Sequence, residues 1–311
     1  MGQVLYYNNS FFAMGTRCDV VLIHPETDFS ERVFVALRNE ILQLEALLSR
    51  YLPESPVSQL NRLPVGEPFA PDDTLWDILQ RCFDFYRLTD GVFDVTLGKL
   101  TALWKHRREG AAVTPAQIEE ARNDSGFGKI SWDAAARRLT KTAAVEFDFG
   151  AVGKGFALDQ ARFLLDKQQV KQAFISFGES SVLALGTHPA GNCWPVGIPN
   201  PLRPGEILHQ FQVRDQFITS SGTVLNSDRQ DGSVRSHLID PHTGNAVAGR
   251  QLVAVKTRSA VWGEVLSTTW LVMDHSRRQL LASKLEDSEL LEVVFSEEGV
   301  AEKKIINSKT E

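Results

Sequence analysis

Asp148-Phe-Gly-Ala-Val-Gly-Lys-Gly155, opening into Phe156-Ala-Leu-Asp159, is the stretch from which the architecture can be read. The run leading into it, Val145-Glu-Phe-Asp-Phe149, alternates apolar and acidic residues and predicts a strand. Beyond the glycines, Ala157, Ala161 and Leu164 recur at helical spacing. A glycine-rich turn between strand and helix lets backbone N–H groups and a helix N-terminus approach a phosphate, and Lys154 adds a point charge. The same residues also suit a plain connection whose glycines permit tight packing, and the turn alone does not choose. Two commoner templates are excluded, because there is no G-x-x-x-x-G-K-[ST] and Gly150, Gly153 and Gly155 do not space as G-x-G-x-x-G.

Upstream, Arg17–Ile23 predicts a strand, and residues 29–48 an amphipathic helix with Val33, Leu37, Ile41, Leu44 and Leu48 on one face. A second helix fits 73–89. Thr114-Pro-Ala-Gln117 carries a capping residue, a proline at the first helical position and a glutamine three on, so a short helix begins there. Ile130–Trp132 and Arg138–Lys141 bracket a hairpin. Downstream the chain is strand-rich, over Ala173–Phe177, Val182–Leu185, Trp194–Ile198, Ile207–Val213, Phe217–Ser220, Leu252–Thr257 and Leu291–Phe295, with residues 260–273 helical. No linker or repeat divides it, so the expectation is one α+β domain over residues 1–296, with 297–311 a polar, flexible tail.

The net charge of −6 supplies no basic face and excludes nucleic acid as the natural partner. Cys18, Cys82 and Cys193 lie far apart and form no CxxC, which fits reduced thiols and a cytoplasmic setting. Cys82, among Leu79, Phe83 and Tyr86, reads as a buried apolar residue rather than a nucleophile. No run reaches the roughly 18 apolar residues of a membrane helix, and the N-terminus has no basic region followed by an apolar one.

Two further segments carry chemistry. In Ser236-His-Leu-Ile-Asp-Pro-His-Thr-Gly244, Pro241 ends regular structure, so His237 and Asp240 sit at a strand end or turn. A histidine near a carboxylate accepts a proton at neutral pH; alternatively Asp240 simply caps the turn. In Gly263-Glu-Val-Leu-Ser-Thr268, Glu264 and Thr268 share a helix face, and their oxygens suit Mg²⁺ or, equally, the helix's own ends. Gly178-Glu-Ser180 is no hydrolase elbow, since Val182 stands where that motif needs glycine.

The order of the pieces resembles one family. Ala13-Met-Gly-Thr16, Leu48-Ser-Arg-Tyr51 with Ser58-Gln-Leu-Asn61, Gly91-Val-Phe-Asp-Val-Thr96, Trp104, the Asp148–Gly155 turn, Thr219-Ser-Ser-Gly222, His237–Gly244 and Leu266-Ser-Thr268 are together similar to the FAD:protein FMN transferases, the ApbE-type flavin transferases. The resemblance runs from about residue 11 to about residue 275. It implies a single, T-fold-related domain with mixed or antiparallel sheets and packed helices. It also implies an enzyme that uses Mg²⁺, takes FAD as substrate, transfers FMN to a Thr or Ser of an acceptor flavoprotein and releases AMP. Carried over, Met14, Tyr51, Val92, Phe93, Asp94, Asp148 and Lys154 contact the dinucleotide. The Ala151 carbonyl, Glu264 and Thr268 hold the metal, and His237 is the base, oriented by Asp240.

The chain departs from the family at three places. Gly263-Glu264 stands for Ala-Asp, Ser176-Phe-Gly-Glu179 for Asn-Ala-Gly-Gly, and Gly150-Ala-Val-Gly153 for Ser-Ala-Ile-Ala. The second change is expected to set a bulky ring and a charge beside the flavin. Glu264 and the Ser176–Glu179 segment keep open a non-catalytic flavin-binding protein. Because acceptor choice depends on how the site admits a peptide loop, an FAD pyrophosphatase giving FMN and AMP is the other alternative.

Overall fold

The computed structural model describes residues 5–224, 235–283, 287–297 and 299–307. In chain order the elements are β1 (Tyr6–Ala13), β2 (Thr16–Ile23), α1 (Thr27–Leu48), α2 (Pro56–Arg62), β3 (Pro68–Phe69), α3 (Asp73–Leu88), α4 (Gly98–Arg108) and α5 (Pro115–Asn123). There follow β4 (Ile130–Asp133), β5 (Arg138–Lys141), α6 (Gly153–Lys167), β6 (Ala173–Phe177), β7 (Ser181–Leu185), β8 (Trp194–Pro199), β9 (Ile207–Val213) and β10 (Gln216–Gly222). The last are β11 (Arg235–Ile239), β12 (Ala246–Ala248), β13 (Gln251–Thr257), α7 (Ala260–Val272), α8 (His275–Ala282), β14 (Glu289–Phe295) and β15 (Val300–Asn307).

Eight strands form one sheet in the order β1-β2-β6-β7-β10-β13-β14-β15, and every neighbouring pair is antiparallel. Its two faces are separated by the period-two alternation of strands. In β7, Leu183 and Leu185 join the core beneath α1 and α6, whereas Val182 and Ala184 join a second core beneath the β8–β9 ribbon with Trp194, Val196 and Phe211. Covered on both sides, residues 182–185 of β7 read as an unbroken apolar run. Among the described residues no helix is long and apolar enough to cross a membrane.

Several sequence expectations hold to the residue, including β6, β9 and the Thr114 capping box. Two are corrected. Val145–Phe149 is extended and buried but joins no sheet; its one ladder contact is an isolated bridge between Glu146 and Leu97. The Asp148 N–H donates to the Val95 carbonyl at 2.7 Å and the Glu146 carbonyl accepts the Gly98 N–H at 2.9 Å. A side chain completes Phe147: the Asn61 amide donates to its carbonyl at 2.9 Å, and Asn61 Oδ1 accepts its N–H at 2.7 Å. The charged segment after Glu297 is not a loose tail throughout, because β15 pairs with β14 as an edge strand; residues 298 and 308–311 lie outside the described residues. Its exposed Glu302, Lys303 and Lys304 are the charged decoration that edge strands carry against further pairing. Burial raises the thiols of Cys18, to about 12, and of Cys82, consistent with apolar packing rather than reactivity.

Candidate active site

The elements converge on a cleft of about 750 Å³ lined by the turn before α6, the C-terminal end of α4, the end of β10, strand β11 and one face of α7. The turn is closed by Asp148, whose Oδ1 accepts the Gly150 N–H at 2.9 Å. Its other oxygen accepts Arg50 Nη1 at 2.9 Å, and the same guanidinium donates to the Gly98 carbonyl at 2.9 Å and reaches Glu146 at 3.3 Å. Arg50 therefore clamps the turn onto the start of α4. The α6 helix begins at Gly153 with no side-chain cap, and Gly150, Ala151 and Lys154 line the cleft. Uncapped first-turn amides at the positive end of a helix dipole attract an anion.

Gly150 lies on the cleft wall. Gly155 is a packing residue, for a Cβ there would sit 2.8 Å from Val261 Cα in α7. The two helices are fixed further by Asp159 of α6, whose carboxylate accepts the Ala260 N–H at 2.7 Å and the Ser259 hydroxyl at 2.9 Å at the start of α7. This registry brings Lys154 Nζ to 3.5 Å from Glu264 Oε1. Glu264 is buried, and its Oε1 also accepts the Ser181 hydroxyl at 2.5 Å. One turn on, the Thr268 hydroxyl lies 3.3 Å from that of Ser221.

Ala151, Glu264 and Thr268 line the same cleft, as sequence reasoning expected of metal ligands. Among the described residues no group of three or more His, Cys, Asp or Glu could hold a metal, so a site here draws on neutral oxygens beside one carboxylate. That donor set fits Mg²⁺, which is commonly held by one or two carboxylates, water and substrate phosphate. A buried carboxylate partnered by an ammonium at 3.5 Å is also a place where positive charge is wanted.

His237 stands exposed on β11 at the cleft. Crowding protein atoms, and then the cations of Arg108 and Lys154, hold its imidazole below the usual range, so it is neutral at pH 7. Asp240 is placed differently from expectation. Its Oδ1 accepts the His242 N–H at 2.9 Å and its Oδ2 the Thr243 hydroxyl at 3.0 Å, so it builds the 240–245 turn rather than orienting His237. That turn is moored to α4 by Trp104 Nε1, which donates to the Gly244 carbonyl at 2.8 Å.

Tyr51, Val92, Phe93 and Asp94 all line the cleft. Tyr51 is exposed, with the Arg50 and Lys105 cations over its ring at 5.8 and 5.4 Å. Burial pushes the Asp94 carboxyl up to about 6, against hydrogen bonds from the Thr96 amide and hydroxyl at 2.7 and 2.6 Å. Met14 lies behind the turn, its sulfur 3.7 Å from the position of a Gly153 Cβ. The Ser176–Glu179 departure has less effect than expected. The Phe177 ring is fully buried in the core and Glu179 is exposed; of this segment only Gly178 lines the cleft, followed by the neighbouring Ser180.

Sequence reasoning missed Arg50, Arg108 and Ser181. Arg50 follows an apolar helix face directly, a position where a charge needs a partner. Arg108 and Ser181 carry no such local signal.

Residues 14–293 match the family model described as the ApbE family. The FAD:protein FMN transferase of Salmonella typhimurium is 25% identical over 241 residues, 75% of this chain and 69% of that protein. That of Treponema pallidum is 28% identical over 264 residues, 78% of this chain and 71% of that protein. Among solved structures, the ApbE protein from Thermotoga maritima has a TM-score of 0.86 at 26% identity, covering 98% of this chain and 97% of that one. The flavin transferase ApbE from Vibrio cholerae has the same TM-score of 0.86 at 23% identity over 98% of both chains. Since the family model matches residues 14–293, far more than half of its length, the chain belongs to the ApbE family.

Proposed function

We propose that this chain is a Mg²⁺-dependent FAD:protein FMN transferase, which moves FMN from FAD to a Thr or Ser hydroxyl of an acceptor flavoprotein and releases AMP. The observation that carries this is one cleft holding a helix N-terminus without a side-chain cap beside Lys154, the oxygen set of Ala151, Glu264 and Thr268, and His237. The relatives named FAD:protein FMN transferase supply the substrate and the group transferred. Tyr51, Val92, Phe93, Asp94 and Lys154 form the dinucleotide site on the cleft wall, with Met14 and Asp148 acting through the turn, Met14 from behind it and Asp148 by closing it. The three scattered, unpaired cysteines keep the cytoplasmic setting in this proposal.

The acceptor hydroxyl oxygen attacks the phosphorus of the FMN half, and a new phosphoester bond forms as the pyrophosphate P–O bond breaks. AMP departs with that bond's electron pair, and the hydroxyl proton passes to a ring nitrogen of His237. The Lys154 ammonium and the Lys154 and Gly155 amides at the start of α6, where the Gly153 N–H is already taken by the Phe149 carbonyl at 2.8 Å, offset charge on the phosphate oxygens. Ala151, Glu264 and Thr268 would hold the cation, which when bound neutralises the pyrophosphate and polarises the bond to be broken. A poorly nucleophilic hydroxyl gains about 10²–10⁴-fold from a positioned base.

The test is to incubate the protein with FAD, Mg²⁺ and an acceptor that another family member is known to flavinylate, then weigh the acceptor by intact mass spectrometry. The expected outcome is an FMN-sized gain on one hydroxyl residue with AMP released. FMN and AMP without acceptor gain would make it a pyrophosphatase. Neither product from folded protein would reduce the chain to a flavin binder.

A further inference from the structure

Glu264 is held by more than its helix. Ser181 and Thr219 are cross-strand partners on β7 and β10, both fully buried, and α7 lies against both strands. Where the helix meets Thr219 it has Gly263, and a Cβ there would lie 2.4 Å from Thr219 Oγ1 and 3.0 Å from Thr257 Oγ1. The missing side chain lets α7 sit closer to the sheet than any other residue allows. The next residue, Glu264, then meets Ser181, whose hydroxyl donates to Oε1 at 2.5 Å. Lys154 Nζ is also nearest to Oε1. Oε2 makes no hydrogen bond among the described residues, yet it is not one of the sealed, unpartnered atoms, so it opens on the cleft.

Taking Glu264 as a cation ligand, as proposed above, we infer that Ser181 is a positioning residue for it. The Ser181 hydroxyl captures Oε1, fixes the terminal torsion of a side chain one methylene longer than aspartate, and presents Oε2 alone to a divalent ion. Gly263 and Ser181 together draw the longer carboxylate back toward the sheet. A glutamate here is therefore a matched set of three residues, Gly263, Glu264 and Ser181, and not a single exchange. Groups that orient a ligand in this way commonly change metal affinity by about 10–100-fold when removed.

The test reads metal binding rather than turnover. Full-length protein with saturating FAD and no acceptor is titrated with MnCl₂, and free Mn²⁺ is followed by electron paramagnetic resonance. Ser181→Ala is expected to weaken Mn²⁺ by about 10–100-fold, Ser181→Thr to retain parent affinity, and Ser181→Cys to fall between them. In a Glu264→Gln background, Ser181→Ala should cause no further loss. Should Ser181→Ala not fold, the Thr and Cys variants still give the order. A parent that binds Mn²⁺ with an affinity indifferent to Ser181, or equal losses with and without Glu264, overturns this inference alone. A parent that takes no Mn²⁺ in the presence of FAD overturns the metal-dependent proposal, and this one with it.

Discussion

Gly155 of α6 meets Val261 of α7 backbone to backbone: a Cβ on Gly155 would lie 2.8 Å from Val261 Cα, 2.9 Å from its N and 3.0 Å from the Ala260 carbonyl. Nothing on the far side can rotate away, since all three atoms are main chain. The contact sets the spacing of the two helices that carry Lys154 and Glu264.

Gly155→Ala should therefore separate α6 from α7. Overpacking of this kind costs about 1–3 kcal/mol, and the gain in helix propensity of about 0.5–1 kcal/mol offsets only part of it. Urea denaturation should show a net loss of stability, and FAD-dependent Mn²⁺ binding should weaken because the Lys154–Glu264 registry shifts. A variant as stable as the parent would show that the helix pair yields freely.

His237→Ala is expected to lower the transfer rate by about 10²–10⁴-fold while FAD binding, followed by flavin fluorescence, stays near the parent value. The sign of the pH dependence follows from the lowered imidazole pKa. The neutral base accumulates as pH rises, so kcat/KM should climb along a limb centred below the ordinary value of about 6.5. Arg108 contributes to that lowering, so Arg108→Ala should move the limb to higher pH. A limb that stays in place in His237→Ala would assign it to another group.

Asp94, raised to about 6 by burial, gives a stability signature of its own. A carboxyl whose folded pKa exceeds its unfolded value stabilises the fold below the unfolded pKa, and loses that contribution as pH rises through the folded one. Compared with Asp94→Asn, the parent should be relatively most stable near pH 4 and should give up on the order of 2–3 kcal/mol by pH 7. Urea midpoints of both proteins across that range measure it. A constant difference would mean that Asp94 titrates normally.

Periodicity made most of this fold legible. Helix α1 and strands β6, β9 and β13 bury one clear stripe or alternate face, and each was expected within a few residues of its observed limits. Strand β1 was not visible because Asn8, Asn9 and Ser10 interrupt its apolar face, which an edge strand tolerates. Strand β15 escaped for the same reason, with Glu302, Lys303 and Lys304 at its centre. Val145–Phe149 has a strand's pattern but only a single bridge to the Val95–Gly98 backbone, and Asn61, 86 residues away, completes the Phe147 backbone. In the cleft, residues within contiguous motifs could be named in advance. Ser181 could not, since its importance comes from a hydroxyl 83 residues from Glu264 and brought to it only by the approach of α7 to the sheet.

The mooring of the Asp240–Asn245 turn by Trp104 has a practical consequence for genetics. A lesion at this indole, which does not line the cleft, should leave a folded protein that still captures its coenzyme yet hands nothing on, because the imidazole on the strand leading into that turn has lost its anchorage. Such an allele would mimic loss of the histidine itself, and only a binding assay run beside the turnover assay would tell a detached scaffold from a missing base.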